Sequence, residues 1–207
     1  MMRTTTDPQP LAPKRKMAGL TMIEILVTLI ILSIGLLGMA ALQLTGIRSA
    51  NSSTYRTQAT LLADDLAERM RANITAVDDN AFMAVNSSAI NCATPPNPYC
   101  GEYYDGTNAV AAQSCTSAQM ASYDTNVWFC GERNSGTRRG GVQSILNGAT
   151  ATVTCTDVNP PSGADGDDCT NRSSYHTISL SWSELNPDRS SGVAATVNQT
   201  IAISVQP

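Results

Sequence analysis

Residues 20–42 read Leu-Thr-Met-Ile-Glu-Ile-Leu-Val-Thr-Leu-Ile-Ile-Leu-Ser-Ile-Gly-Leu-Leu-Gly-Met-Ala-Ala-Leu, an apolar run whose one charge is Glu24. As a helix rising about 1.5 Å per residue, such a run spans roughly 35 Å, enough to cross a bilayer. A secretory signal is shorter, with about 7–15 apolar residues followed by a small-residue cleavage site. Here the small residues, Met17-Ala18-Gly19, precede the run. A cut at that step keeps the hydrophobic helix in the mature chain. A plain signal anchor, in which Glu24 has no role, is the simpler alternative.

Charge is distributed to match. Residues 1–19 carry Arg3, Lys14, Arg15 and Lys16 against Asp7 alone, within a chain of 13 Lys+Arg and 17 Asp+Glu and a net charge of −4. The chain downstream is therefore net acidic. A basic leader stays cytoplasmic while an acidic body is delivered across the membrane. The acidic body also makes nucleic acid an unexpected partner, because that binding is driven by Lys and Arg on phosphate, and Arg138-Arg139 is too small a patch. With 42% hydrophobic and 14% charged residues, the chain is no disordered polyelectrolyte.

A carboxylate costs about 2–3 kcal/mol at the centre of a membrane helix and less near its end, where the side chain reaches the surface. Burial alone therefore gives Glu24 no role; its position does. Lys16-Met17-Ala18-Gly19-Leu20-Thr21-Met22-Ile23-Glu24 resembles the prepilin-peptidase site of the type IV pilins and the type II secretion pseudopilins. The resemblance implies cleavage after Gly19, N-methylation of Leu20, and a requirement for Glu24, the fifth mature residue, in assembly. It continues through residues 36–43 and through residues 58–73, a block similar to the PilV branch of minor pilins, the type IV pilus modification proteins. Major pilins fit less well, since they usually carry Pro at the position of Ala41 and fewer Cys.

The resemblance further implies a set of partners: a prepilin peptidase, the inner membrane, other minor pilins and the major pilin. The head would face the periplasm before the protein joins the filament or its tip. No cofactor and no catalytic residue is implied. Within the class, a secretion pseudopilin is the alternative. Outside it, the alternative is a membrane-anchored periplasmic binding or enzyme domain. Physically, the free amine of Leu20 would be a cation among apolar helices, and a buried charge needs a partner. Glu24 of a neighbouring subunit could supply it and fix axial register.

From Gln43 the pattern turns amphipathic. Leu62, Leu66, Met70 and Ile74 recur every four residues beside Ala59, Ala63 and Ala67, with Asp64, Asp65, Glu68, Arg69 and Arg71 elsewhere. One helix is expected from Leu20 to Ile74. Its glycines, Gly35, Gly38 and Gly46, suit close helix packing in a bilayer, or alternatively local unwinding in a filament. Residues 86–116 are rich in Asn, Ser, Pro, Gly and Tyr and read as loop. A second helix is expected over 117–129, capped by Thr116 or Ser117, with Ala118, Ala121, Val127 and Trp128 inward. Three runs of period two follow, at 149–155, 177–182 and 197–205.

These elements predict an α+β fold: a long N-terminal helix packed on a C-terminal antiparallel sheet, with disulfide-rich loops. The expected divisions are a leader at 1–19, a membrane and assembly helix at 20–42, an amphipathic helix at 43–76 and a head at 77–207. Six Cys, none in the long helix, indicate a disulfide framework and an oxidising compartment. A helix over 117–129 separates Cys115 from Cys130 by about 20 Å of rise, too far to bond. Cys155–Cys169 would close the loop ahead of the Ile178 strand. For the remainder we take Cys100–Cys115 with Cys92–Cys130.

Catalytic and metal sites are not expected. His176 stands alone in a strand pattern, and the disulfide scheme leaves no thiol for it to activate. Paired CxxC spacing for zinc is lacking. The acidic run 163–168 offers oxygen ligands without EF-hand spacing and reads as a solvated turn.

Overall fold

Fifty-one residues without proline, Met22–Ala72, form helix α1 in the computed structural model of the chain. The structure describes residues 19, 21–83, 85–157, 169, 174–186 and 195–207. Contacts divide the chain into two units, one ending at Gly46 and the other running from Ile47 to Pro207.

In the second unit α1 buries Ala59, Ala63, Leu66, Ala67 and Met70, the three- and four-residue spacing of one helix face. Leu62 and Ile74, expected in the same stripe, are only partly buried. The expected extent needs correction at its far end. α1 starts at Met22 and stops at Ala72, and a short helix α2 (Ile74–Asp78) follows. Asn73 makes the break. Its Oδ1 accepts from the Ala76 amide while its Nδ2 donates to the Ser117 carbonyl at 2.8 Å. A side chain that can replace backbone partners ends a helix that propensity would carry on.

Helix α3 (Ser117–Cys130) opens with Thr116 as its cap, in a capping box with Gln119. Ala121, Val127 and Trp128 are buried, whereas Ala118, expected to face inward, is exposed. No residue of that first turn belongs to the hydrophobic cluster; its Ser117 carbonyl meets Asn73 instead.

A small sheet corrects the expectation of loop over 86–116. β1 (Tyr103–Tyr104) and β2 (Ala109–Val110) join β3 (Glu132–Asn134) and β4 (Thr137–Arg139) in the order β2-β1-β3-β4. Two-residue strands carry no periodicity to read. After β4 the backbone passes tightly over itself. At Gly131 (φ +88) a Cβ would strike the Arg139 and Gly140 carbonyls, and Gly141 (φ +79) has the same difficulty against Gly131. Only glycine fits both positions. A single turn, α4 (Val142–Ile145), leads into the main sheet.

That sheet is β5 (Thr150–Thr156), β6 (Tyr175–Leu185) and β7 (Thr196–Val205), antiparallel in the order β5-β6-β7. Each period-two run falls on one of these strands. Ala151, Val153, Ile178, Leu180 and Trp182 from its inner face share one cluster with the buried α1 residues and with Trp128 and Phe129. The fold is α+β, a helix face closed by a sheet face. Three disulfides staple it: Cys92–Cys130, Cys100–Cys115 and Cys155–Cys169, with Cα separations of 5.3, 5.9 and 6.2 Å.

Candidate functional site

The apolar half of α1 is unlike anything in the second unit. Every described residue from Thr21 to Gly46 is exposed, and Ile31, Ile34 and Leu37 keep 66%, 67% and 71% of their surface. Leu29, Ile30, Ile31 and Leu32, stepping about 100° apart around the helix, keep 54%, 59%, 66% and 59% of theirs, so no single face can be buried against one partner. A helix apolar all round belongs in lipid or among other helices. By length and composition α1 can cross a membrane.

Its polar side chains are compatible with that solvent. The hydroxyls of Thr28, Ser33 and Thr45 donate to the carbonyls of Ile25, Leu29 and Ala41, at 2.8, 2.7 and 3.1 Å. A hydroxyl satisfied by its own helix costs little in hydrocarbon. Glu24 lies in the first turn of α1, where its amide donates to the Thr21 carbonyl at 3.1 Å. Negative charge at a helix N-terminus is favoured by the helix dipole. Among the described residues Glu24 has no ion-pair partner. Gly19 is exposed with open space around it; Leu20 lies outside the described residues.

In the second unit, Trp128 and Asn73 do positioning work that composition did not reveal. The Trp128 indole N–H donates to the Leu62 carbonyl at 2.7 Å, seating α3 on α1. Arg69 bridges the same two helices, held by Asp65 at 3.2 Å and Asp124 at 3.1 Å. Burial raises the Asp124 pKa above the usual carboxylate value, opposed by the Arg69 charge. A signal for Trp128 did exist, since it fell on the expected inner face of its helix. Asn73 ended the quoted block and gave none.

Other sequence candidates disperse. Arg138 folds inward, donating to Asn126 Oδ1 at 2.9 Å and to the Gly131 carbonyl at 3.3 Å, and burial lowers its pKa. Arg139 instead pairs in register with Glu132, and both line a cleft of about 220 Å³ with Asp65, Arg69 and Trp128. Two acids and two bases there leave no net field for an anion. His176 is 1% exposed, with neither ring nitrogen hydrogen-bonded among the described residues, and burial lowers its pKa. Among the described residues no three His, Cys, Asp or Glu gather to hold a metal ion; the acidic run 163–168 lies outside them.

Two family models match the chain. The prokaryotic N-terminal methylation motif matches residues 14–40, and the model for type IV pilin Tt1218 matches residues 41–126. The matches are contiguous, and together they take in Gly19, all of α1 and most of α3. No curated protein and no solved structure matches. The methylation motif implies processing by a prepilin peptidase and a pilus context. A methylation motif on an all-round apolar helix, joined to a disulfide-stapled α+β head, places the chain in the type IV pilin family.

Proposed function

We propose that the protein is a minor pilin, similar to the PilV branch, that joins other minor pilins and the major pilin in priming pilus assembly. It is inserted as a prepilin with its head in the periplasm, cut after Gly19 and methylated at Leu20. It then moves from the inner membrane into the filament or its tip. The observation that carries this reading is the exposed run Thr21–Gly46 with Glu24 as its one charge. Side chains that lipid covers in the membrane are covered by sister helices in the filament, so little apolar surface meets water during transfer. Glu24, near the entering end, has the sign needed to pair with the amine of a neighbouring Leu20. Chemistry plays no part; association of helices and heads is the whole activity.

N-terminal sequencing and mass spectrometry of the protein from membranes and from sheared pili test the proposal. The expected result is a chain beginning at N-methyl-Leu20 in both fractions, at much lower abundance than the major pilin in the second. Residues 1–19 still attached in functional fibres would overturn it.

A further inference from the structure

Asparagine is a thermolabile residue, and most so before glycine, whose nitrogen can approach the side-chain amide with no Cβ in the way. The chain has a single such step, Asn147-Gly148. Asparagine before serine is the next most reactive pair, and among the described residues it occurs at Asn51, Asn86 and Asn134. At those three the attacking amide is already engaged. The Ser52 amide lies within the α1 ladder. The Ser87 amide donates to the Ala151 carbonyl at 2.9 Å, where residues 85–87 close the outer edge of β5. The Ser135 amide donates to the Tyr104 carbonyl at 2.7 Å.

Gly148 differs. It lies in the turn between α4 and β5 at φ +62, and both it and Asn147 are exposed. Neither the Gly148 amide nor the Asn147 side chain has a hydrogen-bond partner among the described residues. The acidic counterpart, Asp105-Gly106, is restrained instead. The Asp105 carboxylate accepts from the Asn108 and Thr107 amides, both at 2.7 Å. Those bonds lower its pKa, so it stays ionised and resists attack.

We propose that Asn147 is a site of spontaneous deamidation, with water as co-reactant, that unties the main sheet from the turn before it. The Gly148 nitrogen gives up its proton and attacks Cγ of Asn147. The bond from Cγ to the side-chain nitrogen breaks, and ammonia leaves with that proton. Water then opens the cyclic imide. Opening at Cγ gives aspartate; opening at the backbone carbonyl gives isoaspartate, whose main chain runs through the former side chain. One water is consumed, one ammonia is released and nothing is oxidised. Both products add a negative charge. In the intact chain the Asn147 carbonyl accepts from the Ser183 amide at 2.9 Å, and Thr150 pairs with Ser181 just beyond. Isoaspartate turns that carbonyl into a carboxylate on a side branch, so the Ser183 amide loses its fixed partner.

Ageing the purified full-length chain in detergent and heavy-oxygen water at mildly alkaline pH tests this, with peptide mapping by mass spectrometry. Aspartate and isoaspartate should appear at position 147 before any other described asparagine changes, each carrying one solvent oxygen. The rate should rise with pH, because the attacking nitrogen must lose its proton. Hydrogen exchange at the Ser183 amide should quicken in the aged protein. It should not quicken in Asn147→Gln, whose longer side chain closes the ring far more slowly. Position 147 intact after a free Leu-Asn-Gly-Ala peptide in the same buffer has reacted overturns the proposal. So does earlier reaction at Asn86 or Asn134, or unchanged Ser183 exchange in protein that carries isoaspartate. None of these readouts involves cleavage after Gly19 or entry into pili, so the minor-pilin reading stands or falls separately.

Discussion

The indole nitrogen of Trp128 lies 2.7 Å from the Leu62 carbonyl oxygen, joining the middle of α3 to the middle of α1's packed half. Trp128 is 2% exposed and belongs to the same cluster as Leu66, Met70 and Leu180. One residue therefore provides both apolar area and a directional bond. Trp128→Phe keeps most of the area and loses the bond, so it should cost about 1–2 kcal/mol. Trp128→Ala also opens a cavity and should cost about 3–5 kcal/mol. Thermal unfolding of the two variants measures both, and equal losses would show that the hydrogen bond contributes nothing.

Glu24→Ala should separate processing from assembly. The substitution leaves Gly19 and the apolar run intact, so the variant should be cleaved and should fractionate with the membrane. It should be missing from sheared pili, because in the proposed assembly the freed amine of Leu20 would then lack a counter-charge. Immunoblots of membrane and pilus fractions decide the matter. Incorporation at the normal level would refute the pairing role.

His176 predicts a pH dependence in the head. Burial holds its folded pKa below the usual value, so the unfolded chain takes up the proton first as pH falls. Stability conferred by the neutral ring is complete above about pH 6.5 and is lost progressively below it, toward the depressed folded value. Its register partners, Cys155 and Val205, carry no charge that could compensate. His176→Leu should flatten the acid limb of a stability–pH curve and, by removing two unsatisfied nitrogens, add about 1 kcal/mol at neutral pH. Parallel curves for wild type and variant below pH 6.5 would rule His176 out.

Cys92–Cys130 closes the longest disulfide loop, with a sequence separation of 38, and ties a partly buried strand of loop to the end of α3. Loop-closure entropy for a span of that size corresponds to about 4 kcal/mol, an upper figure that engineered bridges seldom reach. The double substitution Cys92→Ser, Cys130→Ser should lower stability by about 3–4 kcal/mol in denaturant titration. The shorter Cys100–Cys115 loop, with a separation of 15, should cost less by the same logarithmic rule.

What could be read in advance depended on how far each signal extended along the chain. The Ala59–Met70 stripe and the alternation around Ile178 extend over many residues, so helix and strand were legible. Thr116 or Ser117 marked a helix start by local chemistry, and the structure settles it on Thr116. Asn73 was not legible as a break, because its second partner, Ser117, is 44 positions away. The short strands at Tyr103 and Ala109 owe their existence to β3, which lies beyond α3 in sequence. The closure of β5 by residues 85–87 was hidden for the same reason. As for the site, Gly19 and Glu24 stood out through spacing within one short segment, whereas the solitary His176 gave no hint of its missing hydrogen bonds.

All three sulfur bridges lie downstream of Ile47, and the segment up to Gly46 contains no cysteine at all. Under the proposed processing, oxidation and proteolysis would act on different stretches of polypeptide, and neither would need to wait for the other. The apolar segment itself holds no cysteine, so its proposed passage out of lipid would require no redox step and would leave the cross-links of the head untouched.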